Sequence, residues 1–446
     1  MKRNTLKLII KMSVPPALSM LIQCLYNLVD SIYITQFDPL AMEAISLVYP
    51  LQNIILAIGL GIGIGINAYA SNKMGQGDQA SANNGATLGV IASIINYILV
   101  VIIGLFTTRI FVESFTSNAQ VIEYALTYIN LIIVFSFTTI VQIALEKILQ
   151  ANGTMMLPMI SLIIGSVINI ALDPLLIFNA NLGILGASIA TVVGQVIATL
   201  IMLYFVLSKR NKIRLDFKHL KLDMTCLKKI YLVGVPSIIL TAIPSIMVGA
   251  MNYILITLNS LAVTTFGIYY KLQYFVYMAV SGISQGTMPL ISYSVGAKDD
   301  ARFKSIVDNS IFLALGIGIF SMLIFLVLPG PIMSLFYDET LNTTAVQNLM
   351  RVASLSFGFG SINYFLASYF QSVQEGFKSL MVAVLRQFVL ILPTAFALSL
   401  VLDEMGVYLA IPISEALTLF ITLIFFSKDF KKKINKMKEL KTVESI

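Results

Sequence analysis

Charge is the first thing this sequence lacks. Only 11% of its 446 residues are charged, whereas 58% are hydrophobic and the mean hydropathy is +0.89. A soluble domain carries about 25% charged residues, so this chain has too few to keep a surface in water. That excludes a soluble enzyme, a nucleic-acid-binding protein and a disordered chain, despite the formal charge of +7. Two cysteines exclude a disulfide framework, and a single histidine excludes a histidine-based metal centre. No G-x-x-x-x-G-K-[ST] pattern occurs, so the chain has no ATP-binding loop of that type. A catalytic nucleophile or metal-ligand constellation is equally missing, and the chain is not read as an enzyme.

What the sequence has is long apolar runs. A helix crossing a bilayer needs about 20 mostly apolar residues. Twelve runs qualify: 14–36, 47–71, 86–107, 122–146, 156–178, 184–208, 230–257, 264–292, 308–330, 346–371, 379–402 and 406–427. They do not alternate at period two, which excludes an outer-membrane barrel. The first run lacks a small-residue cleavage site and reads as a retained helix.

Basic residues set the expected orientation. The N-terminal Lys2, Arg3, Lys7 and Lys11 group with eight bases between Lys209 and Lys229 and seven between Lys428 and Lys441. With Lys73, Lys147, Lys298, Arg302, Lys304 and Lys378, 25 of the 29 bases fall on one side. The opposite loops hold Asp38, Glu43, Asp338, Glu339, Asp403 and Glu404, with Arg109 nearly alone among bases. Both termini are therefore expected in the cytoplasm, which requires an even number of spans.

The chain also repeats itself at an offset of 221 residues. Pro15 falls on Pro236, Leu51-Gln52 on Leu272-Gln273, and Gly61 on Gly282. Ser71, Gly75, Asp78 and Ala80 fall on Ser292, Gly296, Asp299 and Ala301, then Phe115 on Phe336 and Gln150 on Gln371. The register shifts to 223 where Gly183 meets Gly406. Six spans per half make the repeat parallel, a symmetry typical of transporters. The expected architecture is an all-α polytopic membrane protein with twelve transmembrane helices in two parallel-repeat six-helix bundles. Residues 1–208 form the first lobe, 209–229 a basic cytoplasmic linker, 230–427 the second lobe, and 428–446 a basic cytoplasmic tail.

A charge at the bilayer centre costs about 2.5–3.5 kcal/mol on insertion scales and needs a partner or water. Ser19, Gln23, Asn27 and Asp30 form one polar helical stripe. Ser166, Asn169 and Asp173 form a second, and Ser188, Thr191, Gln195 and Thr199 a third. At 1.5 Å per residue, Asp30, Asp173 and Thr191 lie about 8–10 Å below the outer ends of their spans, with Asn169 one turn deeper. Two carboxylates, an amide and a hydroxyl thus converge on one level. They offer oxygen ligands for a hard cation, or a pair of acids that share protons. The plainer alternative is a set of buried, hydrogen-bonded residues that lock helices together. Pro174 adds either a hinge with a free carbonyl or an ordinary kink.

The repeat counterparts of Asp30, Asn169, Asp173 and Thr191 are Met251, Leu390, Thr394 and Ser414, so the acidic cluster belongs to the first half alone. The second half has Glu415, which either binds a cationic substrate or proton, or pairs with Lys271 or Arg386. Gln23, Asn27, Tyr33, Asn252, Tyr274, Tyr277 and Glu415 are candidate substrate-cavity residues. Gly59, Gly61, Gly63 and Gly65 are expected to allow close helix packing. Pro15-Pro16 reads as a helix start that tolerates missing donors. His219 and Cys226 read as surface residues of the linker.

These residues resemble the multidrug and toxic compound extrusion (MATE) family over nearly the whole chain. The resemblance rests on Val29-Asp30, Asn169-Ile-Ala-Leu-Asp173-Pro-Leu-Leu-Ile-Phe178, Gly186-Ala-Ser-Ile-Ala-Thr191, Gln285-Gly-Thr-Met-Pro289, Ser292-Tyr-Ser-Val-Gly-Ala297 and Arg386-Gln387. It implies two six-helix lobes around a V-shaped cavity and multidrug efflux, with drug resistance, in exchange for Na⁺ or H⁺. The exported compounds would be cationic and amphipathic. It also implies that Asp30, Asn169, Asp173 and Thr191 bind the coupling cation, Na⁺ if the exchange is sodium-driven. No other cofactor and no nucleic acid is expected, and the chain is expected to act as a monomer in a bacterial plasma membrane. A lipid-linked precursor flippase of similar architecture is the alternative. It would need a strongly basic cavity, for which only Lys271 and Arg386 are available.

Overall fold

A computed structural model describes residues 2–258, 260–334 and 344–444. Asp338 and Glu339, expected among the outer-side acids, lie outside the described residues, as does Phe336. The described chain is helical, without a strand. Backbone groups in hydrocarbon must satisfy one another within the segment, and apolar runs of this length do so as helices.

In order, the helices are α1 (Lys2–Phe37), α2 (Pro39–Gly75), α3 (Gln79–Phe115), α4 (Ala119–Val134) and α5 (Phe137–Ala151). Next come α6 (Met156–Pro174), which runs into a π-helical turn (Leu175–Asn179), α7 (Gly183–Val206), α8 (Met224–Ile256), α9 (Ser260–Gly296) and α10 (Asp300–Val327). The chain continues with α11 (Pro329–Ser334), α12 (Thr344–Ser354) and α13 (Ser356–Ser372). It ends with α14 (Gly376–Val384), a second π-helical turn (Leu385–Val389) and α15 (Ile391–Glu444). Eight described stretches are long and apolar enough to cross a bilayer, and α4 with α5 makes a ninth across a 42° bend. The last stretch, from Gly376, divides at Asp403, where φ 51 and ψ −136 break the helix into two spans. The less apolar α9 and the α12–α13 pair complete the twelve, so the chain is a multi-pass membrane protein.

The backbone repeats as the sequence does. The turn after α2 is closed by Gly77 N donating to Met74 O and Asp78 N to Lys73 O. The turn after α9 uses the equivalent atoms, Lys298 N to Val295 O and Asp299 N to Ser294 O. Gly77 and Lys298 both adopt left-handed backbone, at φ 75 and φ 56. Gly153 (φ 81) and Gln374 (φ 63) repeat the same relationship at the ends of α5 and α13. Such turns suit glycine, yet the second half makes them with Lys298 and Gln374.

The chain forms two compact units: Leu18–Ile238, and the residues before and after it. Both breaks fall inside a helix, two residues after a proline of the repeat, Pro15-Pro16-Ala17 in α1 and Pro236 in α8. The expectation that Pro15-Pro16 marks a helix start is corrected. α1 already begins at Lys2, and the prolines lie well inside it.

Within the unit Leu18–Ile238, one core gathers α2, α4 and α7 around Ile34, Ile129 and Ile184. A second gathers α2, α3 and α5 around Ile66, Leu149 and Ile230. The four glycines of α2 serve two neighbours in turn. A Cβ on Gly61 or Gly65 would meet backbone oxygens of Gly234 and Ile230 at 2.5 and 2.3 Å. On Gly59 or Gly63 it would meet Ile143 and Lys147 of α5 at 2.9 and 2.8 Å. The linker after α7 is tied down within this unit. Asn83 accepts from Arg214 N, Thr87 from Asp216 N, and Asn84 exchanges two bonds with Lys221. His219 is exposed as expected, but Cys226 is buried against Tyr69 and Gly85, which corrects its reading as a surface residue.

In the other unit, one core is built on Phe266, Tyr269, Phe357 and Tyr408 and the second on Ile9, Phe303, Tyr369 and Phe426. The basic segment after Lys428 is not separate from the last span. It continues α15, and Met437 is buried in the second of these cores.

Candidate functional site

The unit Leu18–Ile238 brings Asp30, Asn169 and Asp173 into one buried group, 9, 3 and 0% exposed. Their elements meet because α6 and α7 cross on bare backbone. A Cβ on Gly194 would lie 2.6 Å from Gly165 O and 3.1 Å from the Asn169 Cβ. Asn169 Nδ2 donates to Asp173 Oδ1 at 3.4 Å. Asp30 and Asp173 are within electrostatic reach of each other, and the Tyr26 hydroxyl feels both. Asp173 stands directly before the π-helical turn Leu175–Asn179, so Pro174 marks the change of helix type. π-turns occur mostly at functional positions.

The donor–acceptor balance of this group is one-sided. Asp30 Oδ1, Asn169 Oδ1 and Asp173 Oδ2 are buried and accept no hydrogen bond, and no basic side chain pairs with either carboxylate among the described residues. Buried oxygens of this kind are almost always satisfied by a donor, a water or an ion. Three buried acceptors without a donor thus lie on neighbouring residues of one group. Among the described residues no three His, Cys, Asp or Glu side chains cluster as a metal site.

Thr191 of α7 and Gln52 of α2 are neighbours of the Tyr128 hydroxyl, which also feels Asp30. Sequence reasoning passed over Tyr128 and Gln52. The repeat counterpart of Gln52 is Gln273, which donates to a tyrosine, Tyr269, at 2.9 Å. The rest of the α7 stripe does not face the acids. Gln195 accepts from Thr138 at 2.8 Å and Thr199 donates to Gln142 at 3.2 Å, so these residues join α7 to α5. Ser188 turns back to Leu185 O of its own helix.

The candidate cavity residues divide between the units. On α1, Gln23 and Asn27 are exposed, and Tyr33 packs edge-on against Phe178 with centroids 6.4 Å apart. In the other unit Tyr274 is exposed, whereas Asn252 is half-buried with its Oδ1 unpartnered. Glu415 is buried and ion-paired with Arg386, not with Lys271, which is exposed. Its second oxygen accepts from Asn363 Nδ2 at 2.8 Å. The Arg386 guanidinium lies 4.8 Å above the Tyr277 ring centroid.

The family model MatE matches residues 15–175 and again residues 236–397, more than half the chain and at the displacement of the internal repeat. Multidrug export protein MepA of Staphylococcus haemolyticus is 23% identical over 418 residues, covering 94% of this chain and 92% of its own. MepA of Staphylococcus aureus strain N315 is 22% identical over 419 residues, covering 93% and 92%. Among solved structures, a MATE protein in a bent conformation superposes with a TM-score of 0.92 at 22% identity, covering 97% of each chain. An outward-facing multidrug-resistance MATE transporter of the MOP superfamily superposes at 0.90 and 22% identity, covering 98% and 97%. With the family model matching twice and the twelve-helix fold shared end to end, this chain belongs to the MATE family of transporters, which are not enzymes.

Proposed function

We propose that this protein is an ion-gradient-driven multidrug efflux antiporter that exports cationic amphipathic compounds in exchange for Na⁺ or H⁺ by alternating access. The observation that carries this reading is the trio of unpartnered acceptors on Asp30, Asn169 and Asp173 with no base beside them. Two carboxylates left without a counter-charge in a low-dielectric setting are costly, and a coupling cation removes that cost each time it binds. Thr191 and Tyr128 supply the neutral oxygens that complete the shell. Entry of the ion neutralises the acids and favours the conformation that releases the drug; its departure reverses the bias. The names of the MepA relatives support drug export. The membrane is a bacterial plasma membrane, with both termini on its cytoplasmic face. A lipid-precursor flippase would need free positive charge, and the Arg386 charge is already matched by Glu415.

Efflux of ethidium from proteoliposomes under an imposed Na⁺ gradient, then a pH gradient, tests the reading. Acceleration by one gradient, abolished in Asp30→Asn and in Asp173→Asn, is the expected result and names the ion. Full gradient-driven efflux in Asp30→Asn removes the carboxylate from the mechanism.

A further inference from the structure

The second unit contains a charged cluster that the coupling site does not use. Glu415 is 4% exposed; Arg386 Nε bonds one of its oxygens and Asn363 Nδ2 the other. The guanidinium covers the Tyr277 ring, which also stacks on Tyr364 with centroids 5.9 Å apart. Gly360 is bare where these groups meet. A Cβ there would lie 2.0 Å from the Tyr277 hydroxyl and 3.2 Å from the Glu415 carboxyl carbon. Arg386 sits in a π-helical turn, Leu385–Val389, and keeps 12% of its side chain exposed.

An ion pair kept only to hold helices together is expected to have its surroundings satisfied. Here a further acceptor, Asn363 Oδ1, is buried and accepts no hydrogen bond. Asn363 is fully buried and already donates to Glu415, so its free oxygen lies in the same cluster. A carboxylate, an aromatic face and a surplus carbonyl oxygen are the elements that recognise an organic cation. Arg386 meets the carboxylate and the ring as a planar, delocalised cation would. A bare metal ion would make no comparable use of the tyrosine.

We propose that Glu415, Asn363 and Tyr277 form a second binding site, for aromatic organic monocations, in which Arg386 is a resident cation that the ligand displaces. The proposal rests on the efflux reading for its ligand class, not for its geometry. Arg386 then acts as a specificity residue: a weak or strongly hydrated cation fails to dislodge it, whereas a flat cation that stacks on Tyr277 succeeds. Its partial exposure gives the guanidinium a path out of the cluster.

Equilibrium binding of ethidium to the full-length protein in detergent, followed by fluorescence with no gradient present, tests this. Arg386→Gln is expected to bind about tenfold more tightly than the parent, and Glu415→Gln about tenfold more weakly, each close to one charge contact. The double variant Arg386→Gln/Glu415→Gln gains nothing over Glu415→Gln. Tyr277→Leu weakens binding while Tyr277→Phe, which keeps the ring, preserves it. Should Arg386→Gln fail to fold, the tyrosine pair and Glu415→Gln carry the test alone. Affinities that do not respond to Glu415→Gln or Tyr277→Leu overturn the site, as does ethidium binding that is absent in the parent and all variants. Because no gradient is applied, the test is independent of Asp30 and of coupling. A parent that binds ethidium but does not transport it fails the efflux reading and leaves this site standing.

Discussion

Lys147 shows how far one residue can depart from its hydropathy. Its charge groups it with the cytoplasmic bases, yet in α5 it is 2% exposed. Nζ reaches Glu146 Oε1 at 3.0 Å and Gln150 Oε1 at 3.1 Å, and Gln150 Nε2 donates to the same Glu146 oxygen at 2.7 Å. The stem fits because Gly63 has no side chain to oppose it. Removing one partner of a buried pair costs more than removing both, since the orphaned charge keeps its desolvation penalty. Lys147→Met is therefore expected to lose about 3 kcal/mol, the low end for a buried pair, because Glu146 retains 14% exposure. Lys147→Met/Glu146→Gln should recover most of that loss. Thermal unfolding in detergent measures both, and a double variant no better than the single one would disprove the pairing. The candidate ion-site residues were legible for the opposite reason. Asp30, Asn169 and Asp173 stand in apolar runs where polarity is expensive, whereas Tyr128 is an ordinary membrane tyrosine until its neighbours are known.

Among the elements, the equivalent turns after α2 and α9 give a built-in comparison. Asp78 caps α3 by accepting from Ser81 N, and Asp299 caps α10 by accepting from Arg302 N, both at 3.0 Å. Replacing either aspartate by alanine is expected to cost about 1 kcal/mol, as for other capping residues. The two losses should add, since each cap sits in a different unit. The Asp78 carboxyl is held below its ordinary range by hydrogen bonds from Ser81, then by Lys73. A depressed carboxyl stabilises the fold above the unfolded aspartate value, about 3.9, and that contribution fades as the pH falls further. The Asp78→Ala penalty should accordingly be full at pH 7 and shrink below about pH 4. A penalty that grew with acid would contradict the cap. Helix ends were less legible than helix centres. Apolarity stops at the membrane surface while backbone bonding continues, so the run 86–107 became Gln79–Phe115 and the last span extended to Glu444. The bend between α4 and α5 and both π-turns leave no mark in hydropathy, because they change backbone registry and not composition.

At the scale of the whole molecule, an even number of spans and a parallel duplication act on the same constraint. If each half crosses the membrane six times, the N-terminal segment, the linker and the C-terminal helix must all face one side. The positive charge agrees: Lys7, the linker around the exposed His219 and the exposed Lys438 all belong to base-rich segments. Arg109 lies at the far end of α3, 73% exposed and paired with Glu113 at 2.7 Å. Single cysteines at positions 7, 219, 438 and 109, in a chain whose native Cys24 and Cys226 are replaced by alanine, turn this into a measurement. A membrane-impermeant maleimide added to intact cells should label only position 109, and the other three should react only after the membrane is opened. Labelling of position 219 from outside would make the crossing number of the first half odd. The halves would then be inverted relative to each other, an arrangement that duplication of a unit with an odd number of spans produces. The expected pattern instead makes the unit repeated in the family match, the backbone turns and the sequence one with an even number of spans. Only the first copy carries the acidic cluster, Asp30 and Asp173, with Met251 and Thr394 at the matching places of the second. The second copy carries Arg386 and Glu415, so one duplicated frame holds two differently charged interiors.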